Sequence, residues 1–391
     1  MPISKKIEGF MQKSSWIRKM FEQGTLLKNK HGKENVFDFS LGNPNIKPPE
    51  IFSKTLKHVV SDNCCHSYMP NNGYIHVRKA IADYLKKEQS FNFTENDIIM
   101  TCGAAGGLNV ILKTILNPME EVITPAPYFV EYNFYVDNHG GVLKTVNTKP
   151  DFTLDNTAIE KAITKKTRAV LINFPNNPTG RIYSKESLNK LCSILKKKSI
   201  EMGNTIFLIS DEPYRKIVYD NCEVPNIFNS YEESILTTSY SKDISIPGER
   251  IGFIVVSPVS KDNKDLICGM TLANRILGFV NAPALMQSVL PYIQGHTSNI
   301  SIYARNRDLL CQGLAKIGYE FIKPEGAFYL FVKSLIQDDT KFVNELQKEL
   351  ILTVPGTGFG CPGYFRIAFC VDEKVITNAL EGFKRTFDKF K

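Results

Sequence analysis

Between Thr238 and Gly252 the chain reads TSYSKDISIPGERIG. This sets Lys242 among Ser239, Tyr240 and Ser241, with Arg250 eight positions on and an apolar run behind it. A lysine amine is a poor nucleophile while protonated, and its ordinary pKa is about 10.4. At an apolar strand end with a second cation nearby, desolvation and like charge both lower that value. There Lys242 can form a Schiff base with an aldehyde; on a solvated loop it would be an ordinary surface lysine. Arg250 leads straight into "IGFIVV", so its guanidinium fork is placed for a fixed anion, and phosphate suits that geometry.

Other chemistry-bearing residues also fall directly after apolar segments. "IIMT" runs into Gly103, Ala104 and Ala105, small residues opening a helix whose N–H groups can approach an anion. Taken alone they describe a plain tight turn equally well, and the G-x-G-x-x-G spacing of a dinucleotide site is absent. "VITPAP" leads into Tyr128, "VLINF" into "PNNPTG" with Asn177, and "IFLIS" into Asp211 and Tyr214. A lone Asp211 would be a strand terminator. As part of a set, it is a carboxylate aimed at a cationic ring nitrogen, because an unpaired carboxylate at an apolar sheet edge is costly. Tyr214 and the Asn177 amide then supply donors for a phenolic oxygen on the same ring, and Tyr128 an aromatic face. Pyridoxal 5′-phosphate needs this set of groups. Lys242 would hold its aldehyde carbon, and Ser239, Ser241, Arg250 and the helix N-terminus its phosphate. "PGTGFGCPG" is also glycine-rich, but it joins two strands and reads as a structural turn.

These residues need a frame that gathers strand ends on one edge. From about residue 75 helix-period segments ("HVRKAIADYLKKE", "LNVILKTIL", "YFVEYNFYVDNHG", "NTAIEKAI", Lys185–Lys198) alternate with strand-like ones ("DIIMT", "EEVITPA", "VLKTVN", "RAVLINF", "TIFLIS"), and further strands follow at "SILTT" and "RIGFIVV". "AVLINF" and "IFLIS" are apolar throughout, as expected of parallel strands covered on both faces. This predicts an α/β protein: a three-layer α/β/α large domain with a mostly parallel sheet, ligands at the strands' carboxyl ends. Past "VNAPALM" the pattern turns to long helices and the strand-rich "FIKPEGAFYLFV", "LTVPG" and "YFRIAF". That predicts a smaller α+β domain. The expected division is an N-terminal arm and part of the small domain at 1–48, the large domain at 49–283 and the small C-terminal domain at 284–391.

The chain has 391 residues, enough for two domains, with 43% hydrophobic and 23% charged residues and a formal net charge of +8. The basic residues are dispersed. The densest run, Lys196-Lys197-Lys198, continues a helix and reads as its solvated face, so no nucleic-acid partner is expected. Nine cysteines in no metal-ligand spacing predict no metal and reduced thiols, hence a cytoplasmic protein. No signal-peptide core or membrane span is read, so no membrane partner is expected.

In order and spacing, "SLGNP", "SYMPNNGYIHVRKAIADYL", "TCGAAGGLN", "PAPYFVEY", "FPNNPTG", "SDEPY", "SYSKDISIPGERIGF" and "YFRIAF" resemble a class I aminotransferase of the aspartate aminotransferase superfamily, pyridoxal phosphate fold type I. The resemblance runs along nearly the whole chain. It implies that Lys242 binds the cofactor and shuttles the Cα proton, that Asp211 keeps the ring nitrogen protonated, and that Asn177 and Tyr214 contact the ring hydroxyl. It implies Tyr128 stacked on the ring, and Gly103, Ala104, Ala105, Ser239, Ser241 and Arg250 around the phosphate. Tyr68 would reach the phosphate of a neighbouring subunit, making a homodimer the functional unit. Arg366 would pair with the substrate α-carboxylate, helped by Gly42 and Asn177, in ping-pong exchange between an amino acid and a 2-oxo acid. The chain departs from one aspartate-specific branch, which carries a lysine where Ala105 stands. Arg275 or Arg18 is left to meet an acidic side chain; Trp16, Tyr128 and Phe359 would equally suit an apolar donor. The same scaffold carries carbon–sulfur β-lyases and, with an added DNA-binding module, transcription regulators.

Overall fold

The computed structural model describes residues 2–12, 16–62 and 66–391. The N-terminal segment forms α1 (Lys5–Gln12), α2 (Trp16–His31) and β1 (Phe37–Asp38), followed by α3 (Glu50–Ser61) and α4 (Ile75–Gln89). Strands and helices then alternate: β2 (Ile98–Thr101), α5 (Gly103–Ile115), β3 (Glu121–Ala126), α6 (Tyr132–Asn138), β4 (Val142–Asn147), α7 (Asn156–Ala162), β5 (Thr167–Asn173), α8 (Lys185–Met202) and β6 (Phe207–Asp211). β7 (Ser234–Ser239), β8 (Gly252–Val256), α9 (Asn263–Ile276) and α10 (Ala284–Ile293) follow. The remainder is α11 (Ser301–Ile317), β9 (Tyr329–Lys333), α12 (Asp339–Lys348), β10 (Ile351–Leu352), β11 (Val354–Pro355), β12 (Tyr364–Ala368) and α13 (Glu373–Phe390).

Seven strands form one sheet in the order β2-β8-β7-β6-β5-β3-β4, parallel except for β8, which runs antiparallel to both neighbours. The apolar strands serve two cores. In β5, Val170 and Ile172 face one and Ala169 and Leu171 the other; in β6, Leu208 faces the first and Phe207 and Ile209 the second. Successive side chains of a strand point to opposite faces, so burial on both sides demands an unbroken apolar run. The parallel strands share one direction, and β5, β6 and β7 end side by side at Asn173, Asp211 and Ser239.

A third core joins α11, α13, β9 and β12 with Met20 and Phe39 of the N-terminal segment, while β1 pairs with β10. This core draws on both ends of the chain, and on Phe152, Tyr214, Ile217 and Tyr219 from between them. α10 follows the boundary expected at 283, yet it packs on α3 and α4, and its Met286, Val289 and Leu290 lie in the first core.

Two local expectations are corrected. The helix read from Tyr128 to Gly140 begins only at Tyr132, because the Tyr128 N–H is given to the Phe359 carbonyl and residues 128–131 turn. α8 runs on to Met202, where Gly203 caps it at φ +69°. Within the strand-rich "FIKPEGAFYLFV" the strand is Tyr329–Lys333, since Ala327 takes φ +56° after Pro324 and Gly326, and Phe321 makes only an isolated bridge to Val332. The lysine run on α8 is partnered by acids, Lys196 with Glu232, Lys197 with Glu160 and Lys198 with Glu201. No described helix is long and apolar enough to cross a membrane.

Candidate active site

The ends of β5, β6 and β7 open into a cavity of about 340 Å³, lined among others by Gly42, Ala104, Ala105, Asn177, Asp211 and Tyr214. Ser239, Ser241, Lys242, Arg250, Tyr329 and Arg366 complete its polar wall. A volume of this order suits a small organic ligand.

Lys242 follows β7 by three residues, and its Nζ donates to the Gly42 carbonyl at 2.8 Å. Burial, reinforced by the Arg366 and Arg250 cations, pulls the amine down to about 8, although Cys370 opposes the shift. Position 42 is closely constrained: a Cβ there would fall on the Tyr329 hydroxyl.

Asp211 closes β6 and is 5% exposed. The Tyr132 hydroxyl donates to its Oδ2 at 2.6 Å, while Oδ1 has no partner. Burial pushes this carboxyl up to about 7; the Tyr132 bond acts the other way and Glu212 adds to the rise. A buried carboxylate oxygen without a partner, on a cavity wall, fits a cationic ring nitrogen. Asn173 braces the spot, donating to the Asp211 carbonyl at 2.7 Å and accepting the Asn177 N–H at 2.8 Å.

Arg366 lies on β12 and is 1% exposed. Its Nη1 donates to Asn177 Oδ1 at 2.9 Å and its Nη2 to the Ser40 carbonyl at 2.5 Å. Nε has no partner, and no described carboxylate pairs with this guanidinium. Tyr329 and Phe359 hold it between their rings, 4.5 and 4.9 Å from the centroids, and burial lowers its pKa. A buried cation with no counter-charge is expensive, by several kcal/mol, unless an anion arrives.

Ala104 and Ala105, also on the cavity wall, form the first turn of α5, whose N-cap residue makes no side-chain capping bond. Gly103 sits at φ +71°, and a Cβ on it would lie 2.8 Å from Arg250 Nη2. Gly107 brings the same helix close to β7, since a Cβ there would meet Thr237 Oγ1. Uncapped helix N–H groups, two serines and an arginine make a phosphate cup. With Asp211 Oδ1 and the desolvated Lys242, these residues fit pyridoxal phosphate.

Not every expected residue joins them. Tyr128 is absent from the cavity wall, its hydroxyl bonded to Asn133; the neighbouring Phe129 lines the cavity instead. Tyr68 is 92% exposed and does not line this cavity, and its expected place is at the phosphate of a neighbouring subunit. Arg275 is exposed on α9, and the side chains of Arg18 and Trp16 lie outside the described residues. Conversely Tyr132, Asn173, Phe129 and Tyr329 join the site without a role expected from the sequence. Asn173 alone had a signal, as the last residue of an apolar strand.

Residues 34–383 match the family model for aminotransferase class I and II. A probable aspartate aminotransferase of Methanocaldococcus jannaschii is 30% identical over 385 residues, covering 96% of this chain and 98% of that protein. A crystal structure of an aminotransferase from Eubacterium rectale superposes with a TM-score of 0.97 at 41% identity, covering all of both chains. The Thermus thermophilus aspartate aminotransferase with maleate gives 0.88 at 26% identity, covering 99% of this chain and all of that one.

Proposed function

This chain belongs to the class I and II aminotransferases, enzymes that use pyridoxal phosphate, and on that premise we propose an acidic amino donor, aspartate or a close analogue, with 2-oxoglutarate as acceptor. The observation carrying the reading of the site is Arg366, a buried cation without a counter-charge across the cavity from a desolvated lysine. An α-carboxylate supplies the missing charge, and both half-reactions bring one.

The bound cofactor supplies an electron sink for the bond broken at the substrate Cα. Arg366 takes the α-carboxylate through its fork and, held between Tyr329 and Phe359, fixes the direction in which the substrate lies. The Lys242 amine, with its pKa near 8, is neutral often enough near neutral pH to take the Cα proton and returns it later in the cycle. Asp211 Oδ1 keeps a proton on the ring nitrogen, its orientation set by Tyr132 and Asn173. Tyr214 and the Asn177 amide serve the ring hydroxyl, and Ser239, Ser241, Arg250 and the start of α5 the phosphate.

The acidic donor is supported by the relatives named as aspartate aminotransferases. Among the described residues, Arg250 and Arg366 are the only arginines on the cavity wall. For the cation that reads a side-chain carboxylate we retain Arg275, exposed on α9, or Arg18. A homodimer accords with Tyr68 standing exposed, as do Val60, Ile75 and Tyr292 on α3, α4 and α10. A cytoplasmic setting accords with the described cysteines, all free. The test compares single turnovers of aspartate, glutamate, leucine and phenylalanine in wild type and Arg275→Ala. The acidic donors react fastest and lose at least ~10-fold in the variant, on the scale of one charge-assisted hydrogen bond. An unchanged ratio of aspartate to leucine removes Arg275 from the reading. Pyruvate and ammonia from a cysteine conjugate would instead mark a β-lyase.

A further inference from the structure

Tyr329 adjoins three working parts of the site at once. It opens β9, and its hydroxyl lies 2.8 Å from that of Tyr214, which follows β6. Its ring lies under Arg366, 4.5 Å from the guanidinium carbon. Its hydroxyl also occupies the space where a side chain at position 42 would begin, and the Gly42 carbonyl accepts from Lys242. One buried side chain thus adjoins the carboxylate clamp, the donor expected at the ring hydroxyl and the lysine's acceptor.

The two hydroxyls carry one proton each. If Tyr214 spends its proton on Tyr329, it has none to offer the cavity. If Tyr329 donates, the Tyr214 proton is free to point at a ligand. We propose that Tyr329 is a positioning residue, which donates to the Tyr214 oxygen and so commits the Tyr214 proton to the cofactor's ring oxygen, while its ring braces Arg366. The bond links the strand unit bearing Arg366 to the sheet end bearing Asp211 and Lys242. This inference rests on the cofactor-dependent aminotransferase reading of the site and is independent of which amino acid is the donor.

The test is a pH titration of the visible absorption band of the cofactor-loaded protein in wild type, Tyr214→Phe, Tyr329→Phe and the double variant. A ring oxygen that loses a hydrogen-bond donor becomes more basic, so the band's midpoint moves to higher pH. Tyr329→Phe, which keeps the ring under Arg366, raises the midpoint by roughly half a unit, the scale of one neutral hydrogen bond. The double variant shifts no further than Tyr214→Phe alone, because Tyr329 acts through Tyr214. KM for the donor stays within about twofold in Tyr329→Phe and rises at least ~10-fold in Tyr329→Leu, which removes the brace as well. An unmoved midpoint in Tyr329→Phe, or single shifts that simply add in the double variant, overturns the proposal. A wild-type protein that shows no visible band with pyridoxal phosphate overturns the cofactor assignment along with it, so the two failures are told apart.

Discussion

Asp211→Asn separates the cost of building the site from the gain of filling it. In the cofactor-free protein the Asp211 carboxyl is raised from its ordinary 3.8 to about 7, chiefly by burial. The folded state therefore keeps a proton that the unfolded chain has released, and wild-type stability falls as pH rises through that window. The slope is about 1.4 kcal/mol per pH unit, and from 3.8 to 7 the penalty integrates to about 4 kcal/mol. Asparagine keeps the shape and still accepts from Tyr132, but it carries no charge. Urea unfolding of both cofactor-free proteins at pH 5, 6, 7 and 8 reads the difference, and groups common to both cancel. The variant should already be more stable by about 1.5 kcal/mol at pH 5, and that advantage should grow to about 4 kcal/mol by pH 8. Loading the cofactor should reverse the order, since its ring nitrogen supplies the charge that Asp211 lacks. A difference that stays flat from pH 5 to 8 would refute the burial argument.

Arg366→Lys should fold, yet a point charge cannot copy the fork. Losing one charge-assisted hydrogen bond of about 1.5–3 kcal/mol predicts a roughly 10- to 150-fold fall in kcat/KM for every donor, read by steady-state kinetics. Gly107→Ala places a methyl on Thr237 Oγ1, where α5 meets β7. Overpacking of this kind predicts a loss of about 1–3 kcal/mol in chemical unfolding and weaker cofactor retention, read by dialysis.

The layered sheet was legible because burial on both faces leaves a compositional mark: before their last residues, β5 and β6 have no polar residue except Thr167, Arg168 and Ser210. Lys242 and Asp211 were legible for the opposite reason, as charges set against apolar runs where solvation is poor, whereas Arg366 came from the family resemblance. Tyr132 and Tyr329 left no such mark. An aromatic residue inside an apolar stretch looks like core packing, and only the fold shows that its hydroxyl meets Asp211 or Tyr214. Tyr128 and Phe129 are adjacent aromatics, and which of them reaches the cavity is decided by the turn at 128–131, itself tied to Phe359 more than 200 positions away. α10 shows the same limit from the packing side, since its helical pattern is plain but its partners α3 and α4 lie some 200 residues earlier.

The most direct measurement mixes the cofactor-loaded protein with one L-amino acid in the absence of any 2-oxo acid and follows the visible spectrum. The band should be lost with one equivalent of 2-oxo acid per site and return when 2-oxoglutarate is added. Lys242→Ala should take up pyridoxal phosphate but leave that exchange undetectable. A band that persists with every amino acid, or an exchange that proceeds undiminished in Lys242→Ala, would contradict this mechanism.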